Sequence, residues 1–335
     1  MDSFERVFSS FKNKYVDHPP IFPHIGDHAG IINGLTYDIM YKDSKKASNA
    51  HIQTQNLYKY DFIEIQVEPS FSVAEACGAK VKYPRNKNPW IEKHIINEER
   101  DLENLEVPDF METQSTRVMI EGTRFLAEES KVPVVAFMTG PLTFGLQLMP
   151  YKQLLIRLKK NPNFVHKLIS ISVRLIKEYI KTLKEAGAQI LTLCEHDAQM
   201  IPPKLFSEYC LDYLPDIFKI YKYNILHLCG KIFHHILSNV YQLETIDGLH
   251  VLNIGPYIDI RMIKKVLDNK IGIAGNIDHV KLLPSGSIEQ IKRAVHDAIE
   301  ASGGDYRFIV APGCEITADT PKENIKAFVN AVKTT

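Results

Sequence analysis

The sequence predicts an α/β protein, and within that class a (β/α)8 barrel of the TIM type. About eight short apolar runs alternate with amphipathic stretches, a pattern typical of parallel strands that are buried on both faces. The length of 335 residues suits one large barrel, so we expect residues 1–335 to form a single domain. A doubly wound open sheet is the alternative fold, but the chain has no Gly-x-Gly-x-x-Gly turn to mark its nucleotide end.

The first third of the chain predicts an N-terminal helical extension and an elaborated excursion over 70–115. The excursion is polar, with scattered Pro and Lys, and we expect Trp90, the single tryptophan, to anchor it. The other elements predicted here are a helix over 3–15 capped by Ser3, an extended run over 21–25, a helix over 43–58, and a strand over 62–67 that leads to Glu68.

From residue 116 onward, strands and helices alternate regularly. Pro162 and Pro321 sit where a helix tolerates proline, at its first position, and Thr320 with Glu323 forms a capping-box pattern. The strands predicted here cover 134–138, 189–194, 225–230, 249–253, 271–275 and 308–312, and the helices cover 116–129, 162–187, 203–221, 231–242, 259–268, 286–301 and the segment after 320.

Composition excludes several classes of partner. The 40 basic residues balance the 40 acidic ones and no charged block stands out, so neither nucleic acid nor an anionic membrane is expected as a partner. No apolar run reaches the ~18 residues of a membrane span, and the first residues do not resemble a signal peptide. Five cysteines in a chain of this length do not suggest a disulfide framework, so we expect a reducing, cytoplasmic location.

The stretch Ile225-Leu226-His227-Leu228-Cys229-Gly230 carries the strongest chemical signal. Side chains alternate along a strand, so His227 and Cys229 point to the same face. An imidazole and a thiolate form half of a tetrahedral zinc site, and Cys314 would be a third ligand that leaves one position open, as catalytic zinc requires. The alternative is a core histidine with two buried thiols, because His-x-Cys alone is a weak pattern.

Other residues, most of them polar, follow the predicted strands and would gather at the mouth of a barrel, where the carboxyl ends of the strands meet. They are Glu68, Gly140, Glu195, His196, Asp197, Asn253, Asn276, Asp278 and Glu315. A fourth zinc ligand could come from Glu195, Asp197 or Asn253, and Cys194 lies close enough to the mouth to take part. Cys77 and Cys210 lie on helical stretches and are expected to be plain buried thiols.

Four motifs resemble the uroporphyrinogen decarboxylase superfamily, over nearly the whole chain. They are Gly140-Pro141-Leu142-Thr143, the His227 stretch, Gly275-Asn276-Ile277-Asp278, and Ala311-Pro312-Gly313-Cys314 with the helix after it. Within that superfamily the chain resembles the zinc-dependent methyltransferases that move a methyl group between a corrinoid protein and a thiol such as coenzyme M. The resemblance implies that His227, Cys229 and Cys314 bind Zn²⁺, and it makes Gly140, Asn276 and Asp278 candidates for cofactor binding.

The resemblance also implies a corrinoid, either methylcobalamin or a corrinoid protein, and a small-molecule methyl donor or thiol acceptor as partners. Glu195 and Asp197 are the catalytic candidates, orienting the ligands or accepting the thiol proton. A metal-independent carboxy-lyase resembling the decarboxylases is the alternative function, but those enzymes use an arginine-rich segment whose counterpart here, residues 20–28, contains no arginine. A zinc hydrolase is disfavoured because two thiolates make zinc a weaker Lewis acid, and a non-enzymatic corrinoid-binding scaffold requires that no metal be bound.

Overall fold

The computed structural model describes residues 1–65 and 70–334, and it shows an α/β fold built on a parallel sheet. Six strands lie in the sheet in their chain order, and two more form a separate antiparallel pair. The strands are β1 (Lys80–Lys82), β2 (Trp90–Lys93), β3 (Val135–Thr139), β4 (Ile190–Cys194), β5 (Tyr223–Leu228), β6 (Val251–Ile254), β7 (Gly272–Ile277) and β8 (Ile309–Pro312). β3 to β8 pair in parallel, each with the next.

Helices separate the strands of the sheet and cover it. They are α1 (Ser3–Phe11), α2 (Asp27–Ile32), α3 (Tyr37–Met40), α4 (Ser44–Tyr58), α5 (Ser70–Ala76), α6 (Glu99–Glu103), α7 (Gln114–Glu129), α8 (Pro141–Leu148), α9 (Tyr151–Lys160), α10 (Pro162–Glu185), α11 (Pro203–Tyr209), α12 (Leu214–Phe218), α13 (Phe233–Ser238), α14 (Val240–Thr245), α15 (Ile260–Val266), α16 (Leu282–Ser285), α17 (Ile288–Ala301) and α18 (Lys322–Lys333), with short 3-10 turns at His196–Met200 and Leu211–Tyr213. None of the helices in the described ranges is long and apolar enough to cross a membrane.

Two extended segments lie along the outer strands of the sheet. Ile21 forms an isolated parallel bridge with Val310 of β8, and Ile63 forms one with Val134, just before β3. The two segments also meet each other, because the Asp61 N–H donates to the Ile21 carbonyl at 3.0 Å. The predicted runs at 21–25 and 62–67 are therefore single bridges rather than full strands within the described residues. Residues 66 and 67, and Glu68 at the predicted strand end, lie outside the described residues.

The N-terminal helix α1 covers the amino ends of the strands. Val7 and Phe11 belong to one buried cluster with the first residues of several strands, among them Val135 and Tyr223. The ring centroids of Phe11 and Tyr223 are 5.1 Å apart. This apolar cover confirms the predicted N-terminal helical extension and leaves the carboxyl ends of the strands as the edge that can carry polar chemistry.

The excursion between α5 and α7 contains the β1–β2 hairpin, in which Lys82 pairs with Trp90. The prediction that Trp90 anchors it is wrong, because 40% of the Trp90 side chain is exposed and Lys87 lies over its ring. Buried residues such as Ile96, Leu102 and Phe110 attach this region to the main core instead.

Several predicted helix boundaries are also wrong. Asp2, not Ser3, caps α1, by accepting from the Glu5 N–H. The predicted helix over 203–221 is broken into α11, a 3-10 turn and α12, with Pro215 in the first turn of α12. Thr320 does not cap α18, because its hydroxyl bonds to that of Thr317 and the residue before the helix is Pro321.

The sequence patterns do not predict the helices α8 and α9. All but one of the residues of α8 are buried, so its sequence shows no alternation between an apolar and a polar face. α8 begins immediately after β3, with Gly140 as its N-cap residue, and this position brings the N-terminus of α8 to the carboxyl edge of the sheet.

Candidate metal centre

The register of the sheet brings three polar side chains side by side near the carboxyl edge. Cys194 of β4 pairs with His227 of β5, and His227 pairs in turn with Asn253 of β6. Residues paired across parallel strands point to the same face, so these side chains share one side of the sheet. Cys229 lies two residues beyond His227, which places it on that side as well.

The sulfur and nitrogen atoms of this group form a tight cluster. The ligand atoms of Cys194, His227 and Cys229 all lie within 4.8 Å of one another. His227 Nε2 contacts Cys229 Sγ, and Cys229 Sγ lies 3.3 Å from Cys314 Sγ. The structure therefore brings together the three predicted ligands and adds Cys194 beside them. Within the described residues, Cys77 and Cys210 stay outside the cluster, and burial raises the pKa of both thiols.

The donor set and its spacing suit a zinc ion. Two sulfurs on one tetrahedral zinc lie about 3.8 Å apart, because each Zn–S bond is about 2.3 Å, and the separations in the cluster are of that order. The hydrogen bond with Cys229, followed by burial, raises the pKa of the Cys314 thiol well above its ordinary value. Thiols packed this closely need a neighbouring positive charge to ionise, and a bound dication supplies one.

Asn253 fixes the orientation of the His227 ring. Its amide nitrogen donates to the Ala274 carbonyl at 3.1 Å, so its oxygen faces the imidazole. His227 Nδ1 bonds to that oxygen and must therefore carry the ring proton, which leaves Nε2 free to face the sulfurs. His24 Nε2 also bonds to the Asn253 oxygen, at 3.1 Å. Asn253 is one of the three candidates for the fourth ligand, and here its oxygen holds two imidazoles.

Sequence reasoning does not identify His24 as part of this site. His24 is buried, its ring lies 5.4 Å from that of His227, and its Nδ1 is 3.6 Å from an oxygen of the buried Glu64. Neither residue belongs to a motif with metal-ligand spacing. The only signal in the sequence is a histidine and a glutamate inside apolar extended runs.

The carboxylate of Glu195 is held at the N-terminus of α8. One oxygen accepts from the Leu142 N–H at 2.9 Å, and the other accepts from the Thr143 N–H at 3.0 Å and the Thr143 hydroxyl at 2.8 Å. Burial raises the pKa of Glu195 to about 7, although these hydrogen bonds oppose the shift. Both oxygens are occupied in this arrangement, and a catalytic role for Glu195 stays a prediction.

Gly140 leaves the space that Glu195 fills. A Cβ at Gly140 would lie 2.4 Å from Glu195 Cγ and 2.5 Å from Oε1, which is closer than side-chain contacts allow. The backbone φ of −75° suits any residue, so the requirement for glycine here is steric. The contact with Glu195 is a sufficient reason for a glycine at position 140, whether or not a cofactor binds there. The predicted role of Gly140 in cofactor binding stays a prediction.

The other predicted residues lie around the cluster. Asp197 is partly exposed in the 3-10 turn after β4, with its Oδ2 3.2 Å from His196 Nδ1. Asn276 bonds through its amide to the Ile258 carbonyl, and Asp278 Oδ1 accepts from the Val280 and Lys281 N–H groups at 2.9 Å. Asp278 thus shapes the turn after β7. Roles for these three residues in catalysis or cofactor binding stay predictions.

Comparison with known proteins places this geometry in a family context. The family model described as "Uroporphyrinogen decarboxylase (URO-D)" matches residues 2–335. The methylcobamide:CoM methyltransferase MtaA of Methanosarcina barkeri is 28% identical over 77% of this chain and 76% of its own length. The uroporphyrinogen decarboxylase of Danio rerio is 28% identical over 78% and 73%. A solved methyltransferase from Methanosarcina mazei superposes with a TM-score of 0.89 at 21% identity, covering 100% of this chain and 99% of that one.

Proposed function

The chain belongs to the uroporphyrinogen decarboxylase family, and within it we propose a zinc-dependent methyltransferase that moves a methyl group between a corrinoid and a small molecule, such as a thiol. The observation that carries the proposal is the cluster of Cys194, His227, Cys229 and Cys314 at the carboxyl edge of the sheet. Three thiols beside an imidazole form a donor set for zinc, which a metal-independent carboxy-lyase does not require. The names of relatives such as MtaA point to the same class of reaction.

We propose that His227, Cys229 and Cys314 hold the zinc, with Cys194 the nearest candidate for a fourth ligand, which a substrate thiol would displace. Zinc bound there would supply the positive charge that keeps a substrate thiol ionised at neutral pH. Asn253 keeps the proton on His227 Nδ1 and holds the ring toward the sulfurs.

The proposed reaction forms a bond between the methyl carbon and the substrate sulfur and breaks the bond between that carbon and the corrinoid cobalt. The electron pair of the broken bond stays on the cobalt, and the thiol releases its proton. Asp197, which is partly exposed beside His196, is our candidate for the group that accepts this proton. The reverse direction uses the same groups, with a methylated small molecule as donor and the reduced corrinoid as acceptor.

Three broader predictions belong to the same proposal. We propose that the segments around Ile21 and Ile63 complete the sheet as a (β/α)8 barrel, supported by the bond from Asp61 N–H to Ile21 O. We propose that residues 1–335 form one domain. We propose a cytoplasmic location, which fits thiols that must stay reduced. We expect the macromolecular partner to be a corrinoid protein rather than nucleic acid or a membrane.

A methyl-transfer assay with methylcobalamin and a panel of thiols, run beside metal analysis, tests the proposal. We expect about one zinc per chain and thiol methylation that Cys314→Ser abolishes together with the zinc. Cys77→Ser is the matched control, since Cys77 is a half-buried thiol away from the cluster, and it should keep both. Metal-free protein that decarboxylates uroporphyrinogen would instead support the carboxy-lyase alternative.

A further inference from the structure

A cavity of about 580 Å³ lies between α2, α3 and the segment that follows Cys314. Three of its lining side chains are carboxylic acids: Asp27, Glu315 and Asp319. None of the other described lining residues is a lysine, an arginine or a histidine. The volume is that of a small-molecule site, and the lining is acidic.

The carboxyl groups of this acidic cavity are built into the fold. Glu315 Oε1 accepts from the Asp27 N–H at 2.8 Å. The Glu315 side chain also packs against Gly26. A Cβ at Gly26 would lie 1.8 Å from Glu315 Oε1, so a larger residue at position 26 would displace the glutamate. Gly26 has a φ of 46°, in the left-handed region that favours glycine.

One carboxylate oxygen in the acidic cavity has no partner. Asp27 is only 4% exposed, and its Oδ1 makes no hydrogen bond within the described part of the chain. A buried carboxylate oxygen without a hydrogen bond raises the free energy of the folded protein, and a ligand that donates a hydrogen bond to it removes that cost. The oxygen therefore points to a bound hydrogen-bond donor, and the neighbouring acids select one that is positively charged.

Glu315, which lines the acidic cavity, connects it to the proposed zinc ligands along the chain. Glu315 follows Cys314 in the chain, so their Cα atoms are about 3.8 Å apart. A substrate that reaches both places would have its sulfur at the cluster and its far end in the acidic cavity.

We propose that the small-molecule substrate of this site carries an ammonium group, which binds between Asp27, Glu315 and Asp319 while its reacting atom faces the Cys314 side. The methyl transfer in this inference rests on the proposed function. The positive charge of the substrate is inferred from the acidic cavity alone. Thiols that end in a sulfonate or a carboxylate would meet three acids and no cation among the described lining residues. The site should therefore discriminate against them.

Three thiols with the same two-carbon spacing test the charge preference with methylcobalamin as donor: cysteamine, 2-mercaptoethanol and 2-mercaptoethanesulfonate. We expect the largest kcat/KM for cysteamine and the smallest for the sulfonate. In Asp27→Asn and Asp319→Asn, the ratio of kcat/KM for cysteamine to that for 2-mercaptoethanol should fall about tenfold. Asp216→Asn, which changes an exposed aspartate on α12, should leave the ratio as it is. A preference for the sulfonate, or ratios that do not respond to either cavity variant, overturns the inference.

Binding without methyl transfer separates failure of this inference from failure of the proposed function. Calorimetry with ethanolamine and isethionate on the zinc-loaded protein measures charge preference alone. Ethanolamine that binds, and binds about tenfold more weakly to Asp319→Asn, supports the ammonium site even if no thiol is methylated, in which case the proposed reaction is wrong. Isethionate that binds as tightly as ethanolamine, or no binding of ethanolamine, refutes the ammonium site even if thiols are methylated.

Discussion

Replacing Gly140 with alanine should destabilise the protein through a single contact. The new Cβ would lie 2.4–2.5 Å from three atoms of the Glu195 side chain. Glu195 is fully buried between β4 and α8, so its carboxylate has to leave its place at the N-terminus of α8 to make room. The backbone itself accepts alanine, because Gly140 has an ordinary φ.

The magnitude follows from the hydrogen bonds that move with Glu195. Its carboxylate accepts three of them, from Leu142 N–H, Thr143 N–H and the Thr143 hydroxyl, at 2.8–3.0 Å. Hydrogen bonds to charged groups contribute about 1.5–3 kcal/mol each, and the buried N–H groups would lose their partner. Losing one or two of the three predicts a loss of about 1.5–6 kcal/mol in the free energy of unfolding.

Urea unfolding at pH 8, followed by circular dichroism, measures this loss with a matched control in the same helix. A Cβ at Gly145 would meet its neighbours at 3.5–3.6 Å, which is ordinary contact, so Gly145→Ala should stabilise by about 0.5–1 kcal/mol through helix propensity. In a Glu195→Ala background, Gly140→Ala should cost almost nothing. Equal costs in both backgrounds, or a Gly140→Ala protein as stable as the wild type, would refute the reasoning.

Three further outcomes are expected. Asn253→Ala should weaken zinc binding about 10–100-fold in a competition titration with a chelator, because His227 loses the oxygen that holds its proton on Nδ1; unchanged affinity would show that the ring is held otherwise. Burial lowers the pKa of His51 from 6.5 to about 4, so the unfolded chain takes up a proton at this residue before the folded protein does. The free energy of unfolding should therefore fall by up to about 3 kcal/mol as the pH falls from about 6.5 to about 4. In His51→Phe the urea midpoint should change less over that pH range. The protein should not decarboxylate uroporphyrinogen in a porphyrin assay, because residues 20–28 offer no arginine to its carboxylates.

Strand periodicity is sufficient to predict most of the sheet and half of the site. The apolar runs before Cys194, Cys229 and Cys314 are short and continuous, as strands buried on both faces must be, and each matches a strand of the structure within about two residues. The two-residue spacing is enough by itself to put His227 and Cys229 on one face. Their convergence with Cys314 needs only that parallel strands end at the same edge.

What the sequence could not predict depends on register and on contacts between distant segments. Cys194 joins the cluster because β4 and β5 pair with Cys194 opposite His227, and a shift of one residue would turn it away. Asn253 resembles a ligand because amide oxygens bind metals, but the register sets it beside the ring instead. Glu195 resembles a catalytic residue because it follows a strand, and only the position of α8, which has no amphipathic pattern, reveals the N–H groups that it accepts from.

Two buried carboxylates close together in the chain, Asp61 and Glu64, differ in their hydrogen bonding. Asp61 is buried with both oxygens satisfied, by Arg6, the Ser3 hydroxyl and the Ile21 N–H. Three residues later Glu64 is also buried, yet neither of its oxygens has a hydrogen bond within the described residues. Each buried oxygen without a hydrogen bond costs about 1–3 kcal/mol, and the 3.6 Å contact between His24 Nδ1 and one Glu64 oxygen is too long to be such a bond. The position of Glu64 near the proposed ligands, like that of the Asp27 oxygen without a hydrogen bond, fits an end of the sheet that is built for binding and reaction at some cost in stability.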